Sequence, residues 1–339
     1  MLVKMKNGAH TEQIMRVKDS AERSGLRTKE ILSATGAVTI GLVGDDSLCP
    51  VGLEALAGVE SVEKAKHPFK LASRQYQGHD TIVRVGGDGV QIGGQKVVVI
   101  AGPCGIESED QLMDAAISAK DSGAKILRAG LFKPRTSPYG YQGIGLAGLG
   151  ILERVRDETG MLLETEVLHT DQIKMVEPFV DMIRIGMRNM QNFELLRAAG
   201  RSEKPVILKR GCAATLTEFL LAAEYVLNEG NPNVVLCERG IRTFVTDTRN
   251  TLDLNSVPLL KSMTHLPVIV DPSHGTGVYS LVTPMSRAAI AAGADGLLVE
   301  MHPHPNTALS DKAQQLTPAD FRILMSQVSA VAGAVGRSM

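Results

Sequence analysis

Tryptophan is absent from the chain, and aromatic residues of all kinds make up only 4% of it. Platforms that stack unpaired bases are built from such rings, so no single-stranded nucleic-acid surface of that kind is expected. An excess of one charge is also lacking: 36 Lys and Arg stand against 37 Asp and Glu, a formal net charge of −1. A chain so balanced has no bulk attraction for nucleic acid or for a membrane surface, and any anion binding has to come from local clusters. No apolar run approaches the roughly 18 residues that span a bilayer. Met1–Met5 leads into a polar, charged stretch, so no secretory signal is expected. Cysteine is sparse: Cys49, Cys104, Cys212 and Cys237 form no CxxC pair. The expectation is free thiols in a reducing, cytoplasmic setting.

What is present is a globular composition, 44% hydrophobic and 22% charged, over 339 residues, which suggests two domains. The first 70 residues read as strand, helix, strand, strand, helix, strand. Leu2–Met5 is a short apolar strand. Residues 11–24 carry Ile14, Val17 and Ala21 at helical spacing, with Gly25 as a stop. Residues 28–34 and 37–43 suggest a hairpin around Gly36, residues 51–56 a short helix, and 59–66 an extended segment. That order suggests a ferredoxin-like βαββαβ unit. Residues 71–94 form a linker and a hairpin, the latter signalled by Gly86-Gly87-Asp88-Gly89 between two β-branched runs.

From Gln95 to Met339 a pattern repeats. Apolar, β-branched runs begin near Val97, Ile126, Leu162, Met182, Val206, Val234, Val268 and Gly296, with helical segments between most of them. One such segment, 284–292, opens on Pro284 and ends before Gly293. Eight strand–helix units over roughly 240 residues fit a (β/α)8 barrel, whose functional groups lie at the C-terminal ends of its strands. Those ends are charged in this chain. Arg128, Lys133, Arg135, Arg188, Lys209 and Arg239 follow the second, fourth, fifth and sixth runs, and Glu164 and Glu166 lie in the third. Lys and Arg are almost never buried unpaired, so this set reads either as a trap for phosphate or carboxylate groups or as an ion-paired rim. Cys104, His274, Glu300 and Asp311 follow the first, seventh and eighth runs, which are neighbours in a closed barrel. Mixed S, N and O donors suit one divalent ion such as Mn, Fe, Co or Zn. His302 and His304 compete as ligands, and Cys104 taken alone would ordinarily be read as a small buried residue near a tight Gly-Pro turn. A free thiolate at Cys104 is expected to be prone to oxidation.

At these positions the chain resembles 3-deoxy-D-arabino-heptulosonate 7-phosphate synthases. The matching stretches are AGPCGIES, LRAGLFKPRTSPYGYQG, IGMRNMQNF, ILKRG, LCERGIRTF, VDPSHGTG and VEMHPHPNTALSD, which span Ala101 to Asp311. KPRTSPY and the leading ferredoxin-like unit resemble the type Iβ subfamily. The sequence departs where Gly105 replaces a common Ser and Met187 a common Ala.

The resemblance implies condensation of phosphoenolpyruvate with D-erythrose 4-phosphate and water, with release of phosphate, at the first step of the shikimate pathway. It implies that Cys104, His274, Glu300 and Asp311 hold the metal. Arg128, Lys133, Arg188, Lys209 and Arg239 would hold phosphoenolpyruvate, and Arg135 and Thr136 the aldose phosphate. Lys133 is expected to transfer a proton, and Glu166 to orient a water or a lysine. The resemblance also implies feedback by tyrosine or phenylalanine through residues 1–70, and a homo-oligomer, tetramer or dimer. The near relative with the same barrel and chemistry is 3-deoxy-octulosonate 8-phosphate synthase, which takes a longer sugar. A barrel reduced to a sensor should have lost some of these ligands, and none is lost.

Overall fold

The computed structural model describes residues 1–32, 37–87 and 89–339. They form two compact units, Met1–His79 with Met263–His265, and Asp80–Ser262 with Leu266–Met339. The first unit is built on an antiparallel sheet of β1 (Leu2–Met5), β2 (Arg27–Leu32), β3 (Val38–Val43) and β4 (Val59–Glu63), in the order β2-β3-β1-β4. The helix α1 (Thr11–Arg23) connects β1 to β2 and buries Val17 and Ala21 with Val3, Met5, Ile40 and Leu42. The expected second helix at 51–56 is instead a single 3-10 turn, Leu53–Ala55, which drops Leu53 into the same core. Gly52 before it takes a left-handed conformation, φ +86°, and Leu56 after it is extended, so no α-helix runs through residues 51–56. The strand order is that of a ferredoxin-like sheet. The expected turn at Gly36 lies outside the described residues.

In the second unit β5 (Val83–Val85) and β6 (Val90–Ile92) make the expected hairpin; Asp88 of its turn lies outside the described residues. Eight parallel strands then close into a barrel: β7 (Val98–Gly102), β8 (Ile126–Arg128), β9 (Leu162–Val167), β10 (Met182–Ile185), β11 (Val206–Lys209), β12 (Val234–Glu238), β13 (Val268–Val270) and β14 (Gly296–Glu300). Seven begin at the residue expected, and β7 begins one later. β12 and β14 are buried along their whole length, as parallel strands covered on both faces should be.

Val83, Val85 and Ile92 of the hairpin pack with Val98, Ile126 and Met182 at the strand starts and with Ile100, Ile207, Val235 and Ile269 inside the barrel. The N-terminal mouth is therefore plugged with apolar side chains, and the charged C-terminal mouth is the open one. One helix differs from expectation. It runs from Tyr279 to Ala291 with Pro284 inside it. Pro284 is the sixth residue of this helix, past the N-terminal N–H groups that lack a partner, so it leaves the Ser280 carbonyl without its helical donor; the helix nevertheless extends back past it, where Val282 is buried.

β7 ends at Gly102, with φ +150°, and a Cβ there would collide with the Arg128 carbonyl. Gly102→Ala is expected to destabilise the barrel by about 2 kcal/mol or more, from backbone strain and the clash together. Urea unfolding checks this; an unchanged midpoint would mean that the backbone entering Pro103 and Cys104 relaxes freely.

Candidate active site

The open mouth is built from paired charges. β9 presents Glu164 and Glu166 two residues apart, hence on one face. In the ladder Arg128 of β8 lies opposite Glu164, and Arg184 of β10 opposite Glu166. Arg184 Nε donates to Glu164 Oε1 at 2.7 Å, and its Nη1 to Glu166 Oε2 at 2.8 Å. Arg128 Nη2 donates to Glu300 Oε1 at 2.9 Å, Lys209 pairs with Asp271, and Arg210 Nη1 donates to Glu238 Oε2 at 2.9 Å. Six buried cations (Arg128, Lys133, Arg184, Lys209, Arg210, Arg239) thus face five buried carboxylates (Glu164, Glu166, Glu238, Asp271, Glu300). Burial opposes ionisation of Glu166, but Arg184, Lys133 and Lys209 outweigh it and keep its carboxyl below the usual range. Burial likewise opposes ionisation of Asp271, and His274 and Lys209 hold it well below its ordinary value.

Above this layer lies a cavity of about 490 Å³. Its wall carries Lys133, Arg135, Arg184, Arg188, Lys209, Arg239 and Arg249, against the carboxylates of Glu166 and Asp311. Such a surplus of cations in a partly desolvated cleft suits an anion carrying more than one negative charge. Arg188 Nη2 donates to Thr136 Oγ1 at 3.1 Å, which ties the loop after β8 to the turn after β10.

At one side of this cavity Cys104, Glu300 and Asp311 bring one ligand atom each to within 4.8 Å of one another. Cys104 Sγ donates to Asp311 Oδ2 at 3.1 Å, and Gln314 Nε2 donates to Glu300 Oε2 at 2.6 Å. His274 Nε2 stands 3.4 Å from Glu300 Oε1. Its Nδ1 lies 2.7 Å from Asp271 Oδ2, at ion-pair distance but without the alignment of a good hydrogen bond. A carboxylate behind one imidazole nitrogen that leaves the other facing carboxylate and thiol is how metal-binding histidines are oriented. Burial pushes the His274 pKa down to about 4, so the ring is neutral and able to coordinate. One thiol, one neutral imidazole and two carboxylates fit a borderline divalent ion such as Mn, Fe, Co or Zn.

The oxidation-prone thiolate expected from sequence is not found. Cys104 is 1% exposed, and burial together with Glu300 pushes its pKa up to about 12, so without a cation it is a shielded, neutral thiol. Asp311 takes φ 50°, the one positive value at a non-glycine position among the described residues, and Arg135 and Arg249 each approach its Oδ1 at 3.6 Å.

Of the residues singled out from sequence, Lys133, Arg135, Thr136, Glu166, Arg188, Lys209, Arg239, His274 and Asp311 line the cavity. Arg128, Cys104 and Glu300 do not line it; Arg128 lies beneath, with Nη1 buried and unpartnered. His302 is turned away, with Nε2 3.6 Å from Glu107 Oε2. Sequence reasoning missed Arg184, Gly186 and Arg249, and it placed Asp271 at the end of the seventh strand without giving it a role. An arginine inside the apolar run Met182–Ile185 was a usable signal for Arg184, whereas nothing local marks Arg249.

Cys104→Ser is expected to lose most of the metal that the parent retains after manganese loading and desalting, with the circular dichroism spectrum unchanged, because a neutral hydroxyl is a poor ligand. Elemental analysis gives the answer. Parental metal content would remove Cys104 from the ligand set.

Comparison with known proteins bears on this arrangement. The family model described as the DAHP synthetase I family matches residues 69–333, and that of the DAHP synthase ferredoxin-like domain matches residues 1–67. Phospho-2-dehydro-3-deoxyheptonate aldolase of Thermotoga maritima is 45% identical over 337 residues, 99% of each chain. A crystal structure of the aldolase of that name from the same organism superposes with a TM-score of 0.78 at 44% identity, covering 99% of this chain and 98% of the other. 2-Dehydro-3-deoxyphosphooctonate aldolase of Syntrophotalea carbinolica is 31% identical over 257 residues, 70% of this chain and 92% of its own.

Proposed function

The chain belongs to the DAHP synthetase I family, and from that premise we propose that it condenses phosphoenolpyruvate with D-erythrose 4-phosphate and water to give 3-deoxy-D-arabino-heptulosonate 7-phosphate and phosphate. The observation that carries this reading is the cation-lined cavity adjoining the cluster of Cys104, Glu300 and Asp311, with the His274 imidazole 3.4 Å from Glu300. Two phosphorylated anions repel one another, and bringing them together requires several fixed cations. Lys133, Arg188, Lys209 and Arg239 suit phosphoenolpyruvate, over the buried Arg128. Arg135 and Thr136, on the same loop as Lys133, suit the aldose phosphate.

In the reaction C3 of the enol forms a bond to the aldehyde carbon, the new alkoxide takes up a proton, water adds at C2, and the C2–O bond to phosphate breaks. When bound at Cys104, His274, Glu300 and Asp311, the metal supplies Lewis acidity to the aldehyde carbonyl. Lys133 reaches the cavity from a buried position, and burial, which disfavours its charge, is outweighed by Cys104 once that thiol is ionised and by the carboxylates of Glu166 and Glu300, so its pKa is raised and it stays an ammonium. It is placed to donate to the alkoxide or to the leaving phosphate. Glu166 sits across the same cavity, where it can orient a water or Lys133.

The longer-sugar reaction of the octulosonate enzymes is the second reading, since two such relatives are 31% and 30% identical over 70% of this chain. The KPRTS stretch, Lys133–Ser137, supports the heptulosonate reaction. Phosphate release tests both readings. After chelation it should stop, and it should return when one of Mn, Fe, Co or Zn is added back, with erythrose 4-phosphate and not with arabinose 5-phosphate. Turnover of arabinose 5-phosphate alone would reverse the assignment, and full activity in chelator would remove the metal from it.

Among the described residues of 1–70 there is no catalytic constellation, and we assign this segment regulation by tyrosine or phenylalanine, with 71–94 as linker and hairpin and 95–339 as the catalytic barrel. Cytoplasmic location and a homo-oligomeric state belong to the same reading; among the described residues no helix is long and apolar enough to cross a membrane. Deleting residues 1–70 should leave an active barrel that ignores both amino acids at concentrations that inhibit the full chain. A full-length enzyme indifferent to both, or a truncated one still inhibited, would overturn the assignment.

A further inference from the structure

Glu166 poses a problem for an anion site. Its carboxylate lies in the wall of the cavity, beside the cations on which phosphoenolpyruvate is read to bind, and it is ionised. A negative charge free to swing toward the bound anion would weaken the site. Two features hold it back. Arg184 Nη1 donates to Oε2 at 2.8 Å, and Arg184 is itself anchored by Nε to Glu164, within a ladder that fixes both strands. On the other side, Oε1 rests against the bare Cα of Gly186, so closely that a Cβ at that position would land on the oxygen. Gly186 has φ −69° and ψ 163°, a conformation open to every residue. Glycine is therefore not needed there for backbone freedom; what it supplies is the space that the carboxylate fills.

We propose that Arg184 and Gly186 are positioning residues for the anion site: together they clamp the Glu166 carboxylate against the ends of β9 and β10, out of the path of phosphoenolpyruvate. The proposal rests on the functional reading above, because it takes the cavity's anion to be phosphoenolpyruvate. Gly186→Ala does not alter charge or backbone, and its methyl group displaces only the tip of one flexible side chain. Arg184 blocks one side and the new methyl the other, so the displaced carboxylate moves into the cavity, where it meets the incoming anion.

The test is calorimetric titration of phosphoenolpyruvate into the full-length, manganese-loaded protein, with thermal melting as the control for folding. Gly186→Ala should melt within a few degrees of the parent and bind phosphoenolpyruvate about tenfold or more weakly, the effect of a like charge entering the site. The KM for erythrose 4-phosphate should stay within about twofold, since that substrate's phosphate is bound elsewhere on the wall. In a Glu166→Gln background the same substitution should cost at least about threefold less, because the displaced group is then neutral. Arg184→Lys, which can hold one carboxylate but not both, should weaken phosphoenolpyruvate binding in the same direction. Unchanged affinity in Gly186→Ala overturns the clamp, and so does a loss equally large in the Gln background, which would mark a steric disturbance. A parent protein that fails to bind phosphoenolpyruvate overturns the functional reading, and the clamp's role with it.

Discussion

The active-site end of this barrel depends on a constraint that applies to any buried ion: a charge removed from water is costly unless opposite charges or hydrogen-bond acceptors compensate it. Arg128, Arg184, Lys209 and Arg210 are each buried, and each is held by at least one carboxylate. Removing one member of such a pair typically costs about 3–5 kcal/mol, because the partner is left buried and uncompensated. These residues do little for stability as a set, since apolar side chains of the same volume would pack as well. Their arrangement makes sense as a scaffold that fixes cations before substrate arrives, so that little ordering remains to be done on binding.

The parallel ladder makes the scaffold accurate. Alternation along β9 places Glu164 and Glu166 on one face, and in-register pairing brings Arg128 and Arg184 alongside them. The same geometry links the two halves of the site. Glu300 accepts from Arg128 on the anion side and stands within reach of His274 and Asp311 on the metal side. Asp271 pairs with Lys209 while lying behind His274. Anion grip and metal grip therefore share carboxylates, and a change in either one is felt by the other.

Much of this was legible in the sequence, for physical reasons. Strands buried on both faces are apolar along their length, which is why seven of the eight barrel strands begin at the residue expected. Charges at the ends of such runs stand out against that background, and nine of the twelve residues given a site role by the resemblance line the cavity, while Arg128, Cys104 and Glu300 lie beside or beneath it. What sequence could not give was pairing across the barrel. Whether Arg128 faces substrate or Glu300 depends on long-range geometry, as does the contact of Gly186 with Glu166. The helical reading of residues 51–56 failed because apolar content was weighed above Gly52 inside it, which takes a left-handed conformation. The protonation of Cys104 was misread because reactivity depends on burial, which its Gly-Pro-Cys surroundings do not report.

The central claim is that one cavity holds phosphoenolpyruvate on fixed cations beside a single divalent ion. A crystal of the protein grown with manganese and phosphoenolpyruvate, measured for anomalous scattering, tests it directly. The account predicts one anomalous peak among Cys104, His274, Glu300 and Asp311, and substrate density ringed by Lys133, Arg188, Lys209 and Arg239. A manganese peak outside those four residues, or substrate density elsewhere with the cavity filled only by water, would contradict it.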